Sequence, residues 1–127
     1  MPNEIQSSND KKYNLEERTA TFGEHIIEFA KSLHQNAVTA SLISQFVRAG
    51  TSIGANYMEA DGAESRSDFR HKIALCKKES KETRHWIRMI AKACPESIVE
   101  CRKLWQEADE LTLIFSSILR SKKSEKI

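Results

Sequence analysis

Apolar residues recur along this chain at intervals of three and four over four separate stretches, the spacing of helices that each bury one face. The first stretch carries Leu15, Phe22, Ile26, Phe29 and Leu33. Asn14 stands where a side chain caps a helix, with Glu17 three residues on to reach back. The chain turns near His34-Gln35-Asn36. The second stretch runs from Asn36 to about Ala60, with Leu42, Phe46, Ala49, Ile53 and Tyr57 on one face and only Arg48 and Glu59 charged along it. A helix so poor in charge is expected to be mostly buried. Gly50 and Gly54 lie one turn apart there. Glycine costs roughly 1 kcal/mol in a helix interior relative to alanine, so close approach of a neighbouring helix is the expected compensation.

Asp61-Gly62-Ala63-Glu64 breaks the pattern, and Ser65 with Asp68 forms a capping signature for a third helix reaching about Ala93. Its inward stripe is Phe69, Ile73, Cys76, Ser80, Thr83, Ile87 and Ile90, and Cys94-Pro95 ends it. Ser97-x-x-Glu100 is expected to cap a fourth helix, whose apolar positions Ile98, Cys101, Leu104, Trp105, Ala108, Leu111, Phe115, Ile118 and Leu119 exceed one narrow seam. A face that wide predicts contact both inside a bundle and with another subunit. Leu104, Leu111 and Ile118 stand at heptad spacing beside Ile98, Trp105, Ala108 and Phe115, and a monomer would leave part of that face in water. Four helices joined by short turns give antiparallel neighbours, hence an all-α, up-down-up-down four-helix bundle. The expected divisions are a disordered arm over 1–13, the bundle over 14–120 and a basic, frayed tail over 121–127.

Composition narrows the class. A chain of 127 residues is about one domain, and four glycines with two prolines are too few for the turns of an all-β sandwich. With 20 basic and 18 acidic residues the net charge is only +2, which excludes a globally basic polymer binder. Cys76, Cys94 and Cys101 are odd in number and lack zinc-site spacing, which points to a reducing compartment. The polar N-terminus has no signal-peptide core, and no run approaches the ~20 apolar residues that span a bilayer. A cytoplasmic location without membrane contact is therefore expected.

The even overall balance hides a local excess. From Ser65 to Lys92 there are nine basic residues against three acidic ones, Asp68, Glu79 and Glu82. At about 100° per residue, Arg66, Arg70, Lys77, Lys81, Arg84, Arg88 and Lys92 share one quadrant of the third helix, beside the apolar stripe and with no interleaved acid. Such a strip can track the phosphate backbone of RNA or DNA, because neutralising phosphates releases condensed counterions. The competing reading is a solvated face whose cations pair with Glu24, Glu28, Glu107, Asp109 or Glu110 on other helices. The strip has no interleaved aromatic residue, so base stacking is not indicated.

A second constellation is polar yet borders the core. Arg48, Ser52, Asn56 and Glu59 line one side of the second helix, and Lys72, Glu79 and Trp86 line the third at heptad spacing. Facing each other, they would form a hydrogen-bonded layer in which Glu59 and Glu79 are largely buried and paired with Arg48 or Lys72. Such a layer serves helix register or a subunit contact at least as well as a ligand.

Glu82-Thr-Arg-His85 has the Glu-x-x-His form of ferritin-like di-iron bundles, but that site needs a second such motif and a glutamate from each remaining helix. The second motif is missing, and His25, His34 and His71 have no ligand-like spacing. No phosphate loop, nucleophile elbow or paired-carboxylate motif occurs. The expectation is a non-catalytic protein without metal or cofactor. Its partner is RNA or DNA, or alternatively an acidic protein for which it acts as a scaffold.

The stretch Arg48-Ala49-Gly50-Thr51-Ser52-Ile53-Gly54-Ala55-Asn56-Tyr57-Met58-Glu59-Ala60, with Ser65, Asp68-Phe69, Lys72 and the Lys78-Glu79, Glu82 and Trp86 run, resembles a bacterial family. These are the four-helix-bundle proteins encoded in intervening sequences of the 23S ribosomal RNA gene, and the likeness extends from about Tyr13 to Ser121. The chain is also similar to the accessory variability determinant of diversity-generating retroelements. What the resemblance implies is a bundle that assembles into a ring-like homopentamer, with nucleic acid as the expected partner. Its motif positions fall on Arg48, Ser52, Asn56, Glu59, Asp68 and Glu79.

Overall fold

The computed structural model describes residues 14–125. They form α1 (Leu15–Ser32), α2 (Ala37–Asp61), α3 (Arg66–Ala93), a single 3-10 turn (Pro95–Ser97) and α4 (Ile98–Glu125), an all-α up-down arrangement in which each helix packs on the next. The expected arm over 1–13 and residues 126–127 lie outside the described residues, and α4 is helical through Glu125.

Each helix start is fixed locally. Asn14 accepts from the Glu17 amide, and Ser65 accepts from the Asp68 amide at 3.0 Å. Asn36 takes the Val38 and Thr39 amides, while the Thr39 hydroxyl accepts from the Asn36 amide at 2.8 Å. The expected Ser97 cap differs. Its hydroxyl donates back to the Cys94 carbonyl at 2.7 Å, because Pro95 turns the chain through a 3-10 segment before α4 begins.

Between the helices lie Phe22, Ile26, Phe46, Ile53, Ile73, Ile87, Leu111 and Phe115, all essentially without solvent contact. Phe29 meets Phe46 edge-on with ring centroids 5.9 Å apart. The stripe of α3 is buried although it includes Ser80 and Thr83, because each hydroxyl donates to the carbonyl one turn earlier, Cys76 and Glu79 respectively. That removes the cost of an unpaired buried group. The paired glycines of α2 face α1. A Cβ on Gly50 would stand 2.8 Å from Ile26 Cγ1, and one on Gly54 would meet the Thr19 backbone at 3.5 Å.

On α4 the bundle itself consumes most of the wide apolar face. Leu104 and Leu111 are buried within the chain, and Ile118 is half-buried. What stays exposed is Ile98, Val99, Trp105 and Leu113. α1 and α4 touch little, and the bidentate grip of Arg18 on Glu107, extended to Glu110, ties them. Those carboxylates raise the Arg18 pKa further above its ordinary value.

Candidate nucleic-acid interface

The basic quadrant of α3 divides into cations that α4 uses and cations that it leaves. Arg70 donates to the Leu119 carbonyl at 2.7 Å, which satisfies a backbone acceptor near the end of α4. Arg84 is ion-paired with Asp109 and holds its guanidinium 5.6 Å from the ring centroid of Trp105. The strip is thus partly neutralised, as the competing reading has it, by Asp109 of the neighbouring helix. Arg66 is exposed at the first turn. Lys77, Lys81, Arg88 and Lys92 have no ion-pair partner among the described residues. Lys78 joins them. Together with Ala74, Lys77, Lys81 and Glu82 it borders a shallow, open depression on the outer face of α3. Phosphate oxygens are small enough to sit between such lysines, and chain flexibility lets the ammonium groups converge on them.

The opposite flank of α3 carries the polar layer. The Arg48 guanidinium reaches Glu79 at 3.4 Å and Glu82 at 2.9 Å, and its Nε donates to Gln45. Lys72 Nζ donates to Glu59 at 2.7 Å, and that hydrogen bond raises the lysine's pKa above its ordinary value. Glu79 is buried as expected. Glu59 is not, with 59% of its side chain exposed, because α2 ends two residues later and its carboxylate projects past the α3 flank toward water. Ser52 and Asn56 do not bridge the helices by donation. The Ser52 hydroxyl donates to the Arg48 carbonyl and the Asn56 amide to the Ser52 carbonyl, both within α2. Asp68 sits in the first turn of α3, where its negative charge suits the helix dipole, outside the layer. The layer is therefore two ion-paired rungs, Arg48 with Glu79 and Glu82, and Lys72 with Glu59.

Glu82, the acid of the Glu-x-x-His sequence, is held by Arg48, while His85 lies exposed and edge-on to Trp86 at 4.9 Å. Among the described residues no group of three or more His, Cys, Asp or Glu side chains is placed to hold a metal ion. All three cysteines are free and buried. Burial pushes the Cys76 thiol up to about 12, and its Sγ lies 3.6 Å from the Ile53 carbonyl. Among the described residues no helix is long and apolar enough to cross a membrane.

Sequence reading missed Trp105 as part of this surface. Heptad counting places it among the apolar positions of α4, and nothing in that helix's own periodicity sets it against the basic strip of α3. The one available signal is spacing. Trp105 and Asp109 sit one turn apart, as an aromatic and an acid facing a basic helix would.

Comparison with known proteins bears on most of the chain. A model of the 23S rRNA-intervening sequence protein family matches residues 11–117. Among solved structures, the chain is similar to a protein of unknown function from the S23 ribosomal protein family of Bacteroides thetaiotaomicron. The two superpose with a TM-score of 0.73 at 26% identity, covering 82% of this chain and 96% of the other. No curated protein matches.

Proposed function

We propose that this chain, which belongs to the 23S rRNA-intervening sequence protein family, binds the phosphate backbone of nucleic acid through the outer face of α3 and acts without catalysis. One observation carries the reading. Lys77, Lys81, Arg88 and Lys92 extend over several turns of one helix with no acid paired to them among the described residues. By contrast Arg18 and Arg48, and Lys72 and Arg84 on α3 itself, are each paired with an acid. Holding like charges in a row without counterions is unfavourable in isolation, and a polyanion relieves it. In a ring-like homopentamer, which we also propose, the strip repeats around an axis, and several weak contacts add on one strand where geometry lets them engage together. Val99 and Leu113, exposed on the outer side of α4, are the apolar positions that such an assembly would cover.

The test is the salt dependence of affinity. Its logarithmic slope is expected near −0.9 per phosphate neutralised on duplex DNA, or about −0.7 on single strands. Replacing Lys77, Lys81, Arg88 and Lys92 by Gln should flatten that slope. Absence of binding by the parent at low salt, or an unaltered slope in the quadruple variant, overturns the reading.

A further inference from the structure

Trp105, the largest side chain on α4, is 42% exposed, and of the apolar residues that α4 leaves in water it is the aromatic one. An ion pair flanks it. Arg84 lies over the ring, and the acid beside it, Asp109, is already neutralised by that same arginine. Arg70 on Leu119 and Arg84 on Asp109 fix an antiparallel register between α3 and α4. One turn beyond Arg84, Arg88 therefore comes level with the turn of α4 before Trp105, where Arg102 lies. Neither Arg88 nor Arg102 has an ion-pair partner among the described residues. The register of α3 against α4 thus sets two unpaired arginines, Arg88 and Arg102, at the level of an exposed indole that Arg84 flanks, although no single helix carries that set.

From this geometry we infer that Trp105 is a stacking platform for an unpaired base, and that the ligand of the α3 strip is a single-stranded nucleic acid. The inference rests on the phosphate-binding reading above and deepens it. An indole offers any base a π-face, Arg84 beside it adds cation–π attraction, and the unpaired Arg88 and Arg102 at that level of the seam are left to meet the flanking phosphates. A duplex keeps its bases stacked inside and cannot use the ring without unpairing. The seam would therefore distinguish single strands from duplexes without reading sequence. Val99 and Leu113 sit further round α4, so covering them need not cover the indole.

Trp86→Phe leaves Trp105 as the sole tryptophan. The full-length variant would be titrated at low salt with short oligothymidylate, with oligouridylate and with a duplex of equal length, following tryptophan emission and, separately, affinity. The expected result is quenching by both single strands and none by the duplex. Trp105→Ala should weaken single-strand affinity about five- to a hundredfold, the usual range for one stacked base, with an unchanged salt slope. Trp105→Phe should recover part of the loss, and circular dichroism checks that both variants fold. Salt-dependent binding without quenching, or equal affinity for Trp105→Ala, removes the platform and leaves phosphate binding standing. Blue-shifted emission shielded from iodide in the free protein means that a second copy covers the ring, and also overturns the inference. No binding by the parent at low salt removes both readings.

Discussion

Arg48 and Glu79 join α2 to α3 across a rim that is wet on one side only: the guanidinium lies 3.4 Å from a carboxylate that is nearly buried, while the arginine itself stays half exposed. Arg48 also holds Glu82, so one guanidinium is shared by two carboxylates one turn apart. Removing it leaves Glu79 desolvated without a counter-charge. Breaking a fully buried pair costs about 3–5 kcal/mol, but solvent reaches Arg48 and screens the pair. Arg48→Ala is therefore expected to cost about 1–3 kcal/mol, read from the urea midpoint. A double-mutant cycle with Glu79→Gln should show positive coupling, and additivity would mean that the contact contributes nothing.

The α1–α2 crossing depends on the absence of one methyl group. Gly50→Ala would gain roughly 1 kcal/mol of helix propensity, yet its Cβ would stand 2.8 Å from the buried Ile26. Overpacking of this kind typically costs about 1–3 kcal/mol, so net destabilisation is expected, relieved in part by Ile26→Val. Gly62→Ala is the control. Its Cβ meets only the Met58 carbonyl at 3.7 Å, and unfolding there should change little.

Arg84 and Arg88 are neighbours on the same strip with different expected roles. Arg84→Gln loses the Asp109 pair and should lower stability by about 0.5–1.5 kcal/mol, while the salt slope of nucleic-acid binding stays near the parent's. Arg88→Gln should leave stability within about 0.5 kcal/mol and reduce the slope by about 0.7–0.9. Denaturation and binding measured on the same two proteins check this, and a reversed pattern would show that the division of the strip is wrong.

Burial raises the Cys76 pKa from its ordinary 9.0 to about 12. The unfolded chain loses this proton at the lower value and the folded chain keeps it. The stabilising contribution is therefore complete below pH 9 and declines as pH rises toward 12. Native protein should resist alkylation at Cys76 in mild alkali and react on unfolding. Rapid native-state modification, located by peptide mass, would contradict the assignment. Cys76→Ala should remove this part of the alkaline loss of stability.

Assembly is decided by mass. Sedimentation equilibrium at micromolar concentration is expected to give a pentamer, with Val99→Glu and Leu113→Glu shifting the distribution toward the protomer. A single species of 14.5 kDa across the concentration range would refute the oligomer.

The period of the four helices, the caps of α1 and α3, the inward stripe of α3 and the close α1–α2 approach at Gly50 were legible in the sequence. Each depends on residues within one helix or on an intrinsic cost that demands compensation, and such terms are written locally. The polar rungs were half legible. Heptad spacing placed Lys72 and Glu79 on the flank toward α2, but burial at that rim varies with distance from the helix end, which left Glu59 in water and Glu79 dry. The composition of the basic surface was decided by tertiary structure alone. Whether a cation is free depends on which acids a neighbouring helix presents at its level, and that is fixed by the axial register of α3 against α4, not by either periodicity. That register gives Asp109 and Trp105 to Arg84 and the Leu119 carbonyl to Arg70, and leaves Lys77, Lys81, Arg88 and Lys92 to the solvent.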